Sequence, residues 1–197
     1  MRQYCQQQDL IFTHSYGQEI RPAANPKIIE AITQAECIVY SIGSLYTSII
    51  PSLILRGVGN AIARRAITAR KVLILNGTID RESGPSNTPF TAMDFIHAIA
   101  RACLESAGIY GRDAELTELR SYVTHLIYVE GEGTPMVDKE ALSKAGIEGI
   151  RVYGRKARAG EKGSYYDEGA LKQALQALMG KRDGRYSGHT RRNTLLS

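Results

Sequence analysis

Short apolar runs of strand length recur along the chain, and polar residues bound each of them. The clearest runs cover residues 37–40, 71–76 and 122–129. A run that is apolar at nearly every position is typical of a strand covered on both faces. Segments with helical spacing of apolar residues separate these runs. The alternation predicts an α/β fold with a mostly parallel sheet and helices on both faces.

Further elements follow from the same periodicities and from turn and capping signals. Strands are predicted at residues 10–13, 37–42, 71–76, 122–129 and 149–153. Helices are predicted at about residues 26–35, 58–67, 91–107, 137–145 and 167–178. Thr91, three residues before Asp94, matches a capping pattern, and this role is favoured for Asp94 over a ligand role.

The composition predicts one domain and a basic tail. A chain of 197 residues that is 43% hydrophobic has the apolar content for one sizeable core, expected over residues 1–180. The net charge of +5 is concentrated in residues 181–197, which hold five Lys or Arg and one Asp. We expect this tail to be disordered. The nearly neutral body argues against a nucleic-acid-binding face in the fold.

The cysteines and the hydropathy predict a soluble cytoplasmic protein. Cys5, Cys37 and Cys103 are odd in number and lack metal or redox spacing, which favours a reducing compartment. Cys37 is assigned to the core. No apolar run approaches the ~20 residues of a membrane span. The polar start of the chain also lacks the apolar segment of a signal peptide.

The segment SIGSLYTSIIP, residues 41–51, joins an apolar strand to a turn rich in phosphate-seeking groups. Gly43 allows the backbone to reverse or to approach a ligand closely. Thr47 or Ser48 is expected to cap a short helix, whose free N–H groups attract anions. An ordinary strand-to-helix turn is the alternative. The hydroxyl groups of the segment belong to Ser44, Tyr46, Thr47 and Ser48.

A second polar loop, residues 77–90, follows the strand at 71–76. Ligands of open α/β sheets gather beyond the carboxyl ends of the strands, so we expect this loop to lie beside residues 43–48. Asn76 stands at the strand end, where its amide would bind either a ligand or the loop backbone. Asp80 and Glu82 are metal candidates, although carboxylates in a polar loop are usually solvated.

Three stretches of the chain resemble the 2-phospho-L-lactate transferase family, which is CofD-like and includes the gluconeogenesis factors. They are GSLYTSIIPSLILRGVGNAI, KVLILNGTIDRESG and TAMDFIHAI, where the family reads GSLYTSIIPNLLVPGIAEAI, KVYVCNLMTQPGET and SAADHVEAL. The resemblance covers about the C-terminal half of a typical member. The family's upstream GGGTG turn and Asp-rich segment have no counterpart here. A Rossmann-like three-layer sandwich, incomplete on its N-terminal side, is therefore expected.

The resemblance implies a specific function, which the residues by themselves do not indicate. In the transferase members, a deazaflavin precursor receives phospholactate from lactyl-diphospho-guanosine, with magnesium assistance. The implied ligand is a nucleotide or a nucleotide-diphosphate conjugate. One alternative is a non-enzymatic, nucleotide-sugar-binding regulator of carbon metabolism, and another is a truncated fragment without activity. The implied nucleotide-contacting residues are Gly43, Ser44, Leu45, Tyr46, Thr47 and Ser48, to which Asn76 is added because the family also has Asn at the end of this strand.

Two departures from the family pattern bear on catalysis. The chain has Ser41 and Ile42 where the family commonly has Gly-Pro, and Phe95 where it often has His. A phenyl ring neither binds a metal nor carries a proton. No catalytic residue and no metal ligand is assigned, and self-association into a homo-oligomer stays open. The histidines also show no ligand spacing: they are His14, His97, His125 and His189.

Overall fold

The computed structural model describes residues 12–13, 19–65, 69–83, 87–156 and 163–180. Its strands are β1 (Phe12–Thr13), β2 (Glu19–Ile20), β3 (Cys37–Tyr40), β4 (Arg70–Ile74), β5 (His125–Tyr128), β6 (Glu148–Arg151), β7 (Gly154–Lys156) and β8 (Ser164–Tyr166). Its helices are α1 (Pro26–Gln34), α2 (Ile50–Leu53), α3 (Val58–Ala63), α4 (Ala92–Ser106), α5 (Lys139–Lys144) and α6 (Glu168–Met179).

Four parallel strands form the central sheet, in the order β3-β4-β5-β6. Tyr40 of β3 lies opposite Leu73 of β4, and Leu73 lies opposite Leu126 of β5. Strand order in space therefore follows strand order in the chain. Two short antiparallel pairs, β1-β2 and β7-β8, accompany this sheet. The predicted α/β fold with a mostly parallel sheet is confirmed.

The larger core lies on one face of the sheet. Strands that advance in one direction through right-handed crossovers keep their connecting helices on the same face. The connecting helices α2, α3, α4 and α5 accordingly share one apolar cluster with alternate residues of the strands. Members of this cluster include Leu53, Ile62, Leu73, Ile99, Leu126 and Leu142.

The helix α4 is the most deeply buried of these connections, and its start is fixed by a reciprocal cap. The carboxylate of Asp94 accepts from the backbone N–H of Thr91 at 2.7 Å, and the Thr91 hydroxyl accepts from the N–H of Asp94 at 3.4 Å. The predicted capping role of Asp94 is therefore confirmed. Phe95, next in the chain, is 1% exposed and packs in the core.

The opposite face of the sheet has a smaller core, which α6 covers. Strand residues on this face, including Val72, Ile74 and Ile127, are buried against Leu171 and Leu175 of the helix. No residue of α6 is fully buried, and Val39 on β3 is 43% exposed. Helices thus cover both faces, as predicted, but among the described elements the second face is covered far less completely.

Some elements differ from the prediction. Between the predicted strand at 149–153 and the predicted helix at 167–178, where no element is predicted, the structure has β7 and β8. The predicted strand at 122–129 begins only at His125, because residues 119–121 form a 3-10 turn and Tyr122 and Val123 follow it as buried non-strand residues. The predicted tail at 181–197 lies outside the described residues. None of the described helices combines the length and apolarity needed to cross a membrane.

The close approach of α3 to α4 depends on Gly59. The backbone N–H of Gly59 donates to the hydroxyl of Ser106 at 2.9 Å, and that hydroxyl donates to the carbonyl of Leu55 at 2.6 Å. A Cβ atom on residue 59 would lie 1.9 Å from the carbonyl oxygen of Cys103. Any larger residue must therefore push the two helices apart.

We expect Gly59→Ala to lower the free energy of unfolding by about 1–3 kcal/mol, because overpacking strains a close-packed interface. Equilibrium urea unfolding measures the change. Gly169→Ala, on the exposed first turn of α6, is the control: its Cβ would lie 3.2 Å from a side-chain oxygen of Asp167 and not against the backbone of a second helix, so stability should stay near that of the wild type. Equal stability of Gly59→Ala and the wild type would contradict this packing.

Candidate functional site

Two polar loops meet at the carboxyl edge of the sheet. β3 and β4 are parallel neighbours, so the segments that follow them leave the sheet at the same edge. The hydroxyl of Ser44, after β3, lies 3.3 Å from a carboxylate oxygen of Asp80, after β4. The predicted adjacency of the two loops is confirmed. We call residues 43–48 the hydroxyl loop and residues 80–83 the acidic turn.

The hydroxyl loop leads into a wide helical turn. Residues 45–49 form a π-helical turn that continues into α2, and the carbonyl of Ser44 accepts from the N–H groups of Ser48 at 2.9 Å and Ile49 at 3.3 Å. Ser44 therefore occupies the capping position. The expectation that Thr47 or Ser48 caps the helix is wrong, because both lie inside a turn that begins earlier in the chain.

Apolar side chains fix the hydroxyl loop to the core. Leu45 is 1% exposed and belongs to the larger core. The ring of Tyr46 meets Phe90 edge-on at 6.4 Å between centroids, and Phe90 meets Phe95 edge-on at 6.1 Å. Buried Leu45 thus anchors the loop to the core. Phe95, buried in the core, supports the loop through Phe90.

A carboxylate from the acidic turn binds the backbone of the hydroxyl loop. One oxygen of Glu82 accepts from the N–H of Tyr46 at 3.1 Å and from the N–H of Thr47 at 3.3 Å. The Thr47 hydroxyl lies 3.5 Å from the same oxygen. Two adjacent amides therefore already hold an anionic oxygen. Sequence reasoning missed this contact, since no spacing rule links residues 36 positions apart.

Asp80 organises the acidic turn. One carboxylate oxygen accepts from the N–H of Glu82 at 2.9 Å and from the hydroxyl of Ser83 at 2.7 Å. The other oxygen is the one that faces Ser44. Asp80 and Glu82 thus both accept hydrogen bonds from the chain, and within the described ranges no three side chains of metal-binding type come together. The sequence signal that reveals this turn is an Asp with Ser three positions later.

The β7-β8 hairpin covers the neighbouring end of β4. The N–H of Ser164 donates to the carbonyl of Gly77 at 2.8 Å, and a Cβ on Gly77 would lie 1.9 Å from the Ser164 carbonyl oxygen. The Tyr166 hydroxyl donates to the carbonyl of Leu75 at 2.5 Å. Asn76, half-buried, lies between these two contact points. The open part of the edge is therefore on the β3 side.

The remaining chemically active side chains lie apart from this site. His125 starts β5 at the opposite edge and lies 3.5 Å from the carboxylate of Glu148. Burial lowers the pKa of His125, although the nearby carboxylate of Glu148 acts in the opposite direction and raises it. Burial raises the pKa of the Cys103 thiol to about 12 and also raises the pKa of half-buried Cys37, so neither is an activated nucleophile. His14 and His189 lie outside the described residues.

Sequence comparisons agree with the three stretches quoted above. The family model described as 2-phospho-L-lactate transferase CofD matches residues 5–153. An uncharacterized protein of Saccharomyces cerevisiae is 32% identical over 142 residues, which are 70% of this chain and 31% of that protein. The gluconeogenesis factor of Halalkalibacterium halodurans is 34% identical over 126 residues, or 64% of this chain and 37% of that factor. The chain thus spans about a third of these relatives.

Structure comparisons agree with the fold. A crystal structure of a Bacillus halodurans protein matches 80% of this chain and 47% of its own, with a TM-score of 0.57 and 22% identity. A second crystal structure of the same Bacillus halodurans protein, described there as a member of the UPF0052 family, gives a TM-score of 0.56 and 24% identity. Together they support the α/β fold described above.

We expect Tyr166→Phe to lower the free energy of unfolding by about 1 kcal/mol, because it removes the hydroxyl that donates to Leu75. Urea unfolding monitored by circular dichroism gives the value. The control is Tyr153→Phe, since Tyr153 is 86% exposed and should tolerate the change. If both variants unfold like the wild type, the hydroxyl does not fasten the hairpin to the site edge.

Proposed function

The chain belongs to the 2-phospho-L-lactate transferase CofD family, and we propose that it binds the phosphate groups of a nucleotide or nucleotide-diphosphate conjugate through the hydroxyl loop. The proposed contacts are those that the sequence singled out. They are Gly43, Ser44, Leu45, Tyr46, Thr47 and Ser48, with Asn76 at the end of the neighbouring strand.

The pair of amides that holds the Glu82 carboxylate carries this proposal. Adjacent N–H groups of Tyr46 and Thr47 converge on one oxygen atom, and the Thr47 hydroxyl points to it. Phosphate oxygens make the same charge-assisted hydrogen bonds as carboxylate oxygens. Backbone amides aimed at one point are a recurrent way of binding phosphate in proteins. The loop thus offers the donors that a nucleotide phosphate requires.

A more specific form of this proposal is that the family's reaction, the transfer of phospholactate, takes place at the hydroxyl loop. Reactions at phosphorus depend on positioning and on charge neutralisation more than on a protein nucleophile. The hydroxyl loop supplies hydrogen-bond donors for positioning. Asp80 and Glu82, the carboxylates next to it, accept hydrogen bonds from the chain, and among the described residues no third side chain of metal-binding type joins them. No step is therefore assigned to a metal.

The names of two relatives favour a second function. The proteins from Halalkalibacterium halodurans and Nostoc are named as a gluconeogenesis factor or a candidate for one, at 34% and 33% identity. A regulator of carbon metabolism that binds a nucleotide sugar would use the same phosphate donors without any acid or base. The two functions share the binding site and differ in turnover.

Binding at the hydroxyl loop predicts that Gly43→Val weakens the affinity for guanosine and uridine diphosphates by tenfold or more. A Cβ on residue 43 would lie 3.0 Å from the Cβ of Ser48, so valine crowds the turn that presents the amides. Isothermal titration calorimetry measures the affinity.

The comparison variant for Gly43→Val is Phe95→Leu. Truncation of Phe95 to Ala would cost about 3–5 kcal/mol of stability at this buried position, whereas Leu retains most of the apolar volume. We expect Phe95→Leu to bind more tightly than Gly43→Val when both are folded. Equal affinity of the wild type and Gly43→Val would refute a role for the loop in binding.

We further predict that this 197-residue chain alone does not transfer phospholactate. The described part of the chain shows hydrogen-bond donors at the site, the two carboxylates there already accept hydrogen bonds from the chain, and Phe95 is a core residue. An assay with lactyl-diphospho-guanosine as donor and the deazaflavin precursor as acceptor decides this, with and without magnesium. Robust turnover by the purified chain would overturn the prediction and favour the transferase reading over the regulator.

A further inference from the structure

We propose that Glu82 is an internal competitor of the ligand: its carboxylate occupies the phosphate-binding amides and must be displaced before a nucleotide phosphate binds. This inference rests on the proposed function of the hydroxyl loop. It assigns to the acidic turn an autoinhibitory contact with that loop, in place of a role in metal binding.

The geometry makes the two anions mutually exclusive. The Glu82 oxygen lies 3.1 Å from the N–H nitrogen of Tyr46 and 3.3 Å from that of Thr47. An N–H group forms one well-aligned hydrogen bond, and the oxygen that accepts it excludes another from the same position. A phosphate oxygen that uses this pair of donors must therefore take the place of the carboxylate oxygen.

Charge reinforces the exclusion. Asp80 and Glu82 both present carboxylates to the hydroxyl loop, at Ser44 and at the Tyr46–Thr47 amides respectively. A phosphate that arrived beside both would meet like charges in a partly buried setting, where screening by water is weaker. Displacement of the Glu82 carboxylate moves one of these charges away. The acidic turn therefore lowers the affinity of the loop for anions that accept hydrogen bonds only weakly.

The acidic turn can keep its fold while Glu82 moves. Asp80 holds the turn through the N–H of Glu82 and the hydroxyl of Ser83, contacts that do not involve the Glu82 side chain. The carbonyl of Ser83 also accepts from the N–H of Phe90 at 2.7 Å. Rotation of the half-buried Glu82 side chain alone would free the two amides. The contact can therefore break and form again without a change in the backbone of the turn.

The test is Glu82→Gln, which keeps the shape of the side chain and removes its charge. A neutral amide oxygen competes less well for the N–H pair than a carboxylate does. We expect the variant to bind guanosine diphosphate and inorganic pyrophosphate about tenfold more tightly than the wild type, a gain equivalent to about 1.4 kcal/mol. Calorimetric titrations of the full chain at fixed ionic strength, with and without magnesium, measure the affinities.

Two further variants locate the effect. Glu115→Gln removes one negative charge from an exposed residue in the segment before β5, and it should bind like the wild type. The double variant Gly43→Val with Glu82→Gln should lose the gain, because the gain depends on the hydroxyl loop. If Glu82→Gln fails to fold, Glu82→Asp, which shortens the reach of the carboxylate by one methylene, should also bind more tightly than the wild type.

The outcomes separate this inference from the function on which it rests. Measurable binding that is unchanged in Glu82→Gln would overturn the competitor role and leave nucleotide binding intact. Weaker binding by Glu82→Gln than by the wild type would make Glu82 a contributor to ligand binding, or to metal binding if the loss is seen only when magnesium is present. Either result would also overturn the inference. Failure of every folded variant to bind either probe would overturn both proposals.

Discussion

Parallel pairing of β3 with β4 is the constraint on which the rest of the site depends. The register that sets Tyr40 opposite Leu73 brings both strand ends to one edge. Only because of this do residues separated by 36 positions, Tyr46 and Glu82, come into hydrogen-bond contact. Burial of Leu45 and the edge-on contacts of Phe90 then hold the hydroxyl loop in place against the core.

Local patterns predicted the features that local physics decides. The apolar run at 71–76 predicted a strand covered on both faces, and β4 is buried from Lys71 to Ile74. The run at 37–40 also forms a strand of the parallel sheet, but β3 lies at the edge and its Val39 is 43% exposed, so coverage of both faces was predicted wrongly there. Thr91 and Asp94 gave a helix start because a capping box is complete within four residues. The adjacency of the two polar loops followed from strand direction alone, since parallel neighbours end at the same edge.

Features decided by contacts distant in sequence escaped prediction. The hairpin of β7 and β8 lies in a Gly- and Lys-rich stretch without alternation, and its position is fixed by Gly77 and by the hydroxyl of Tyr166. Sequence periodicity likewise gives no sign that Glu82 contacts the amides of Tyr46 and Thr47. Helix capping by Thr47 or Ser48 failed for a local reason instead: the carbonyl of Ser44 accepts from the N–H groups of Ser48 and Ile49, so the turn begins earlier in the chain.

Strand order that follows chain order also bears on how the fold is assembled. In the sheet β3-β4-β5-β6, no later strand has to insert between two earlier ones. Each new strand finds a finished edge to pair with and brings along a connecting helix for the same core. Loop closure therefore spans only one crossover at a time, which keeps its entropic cost low. The helix α6, last in the described chain, then closes the second face over strands that are already paired.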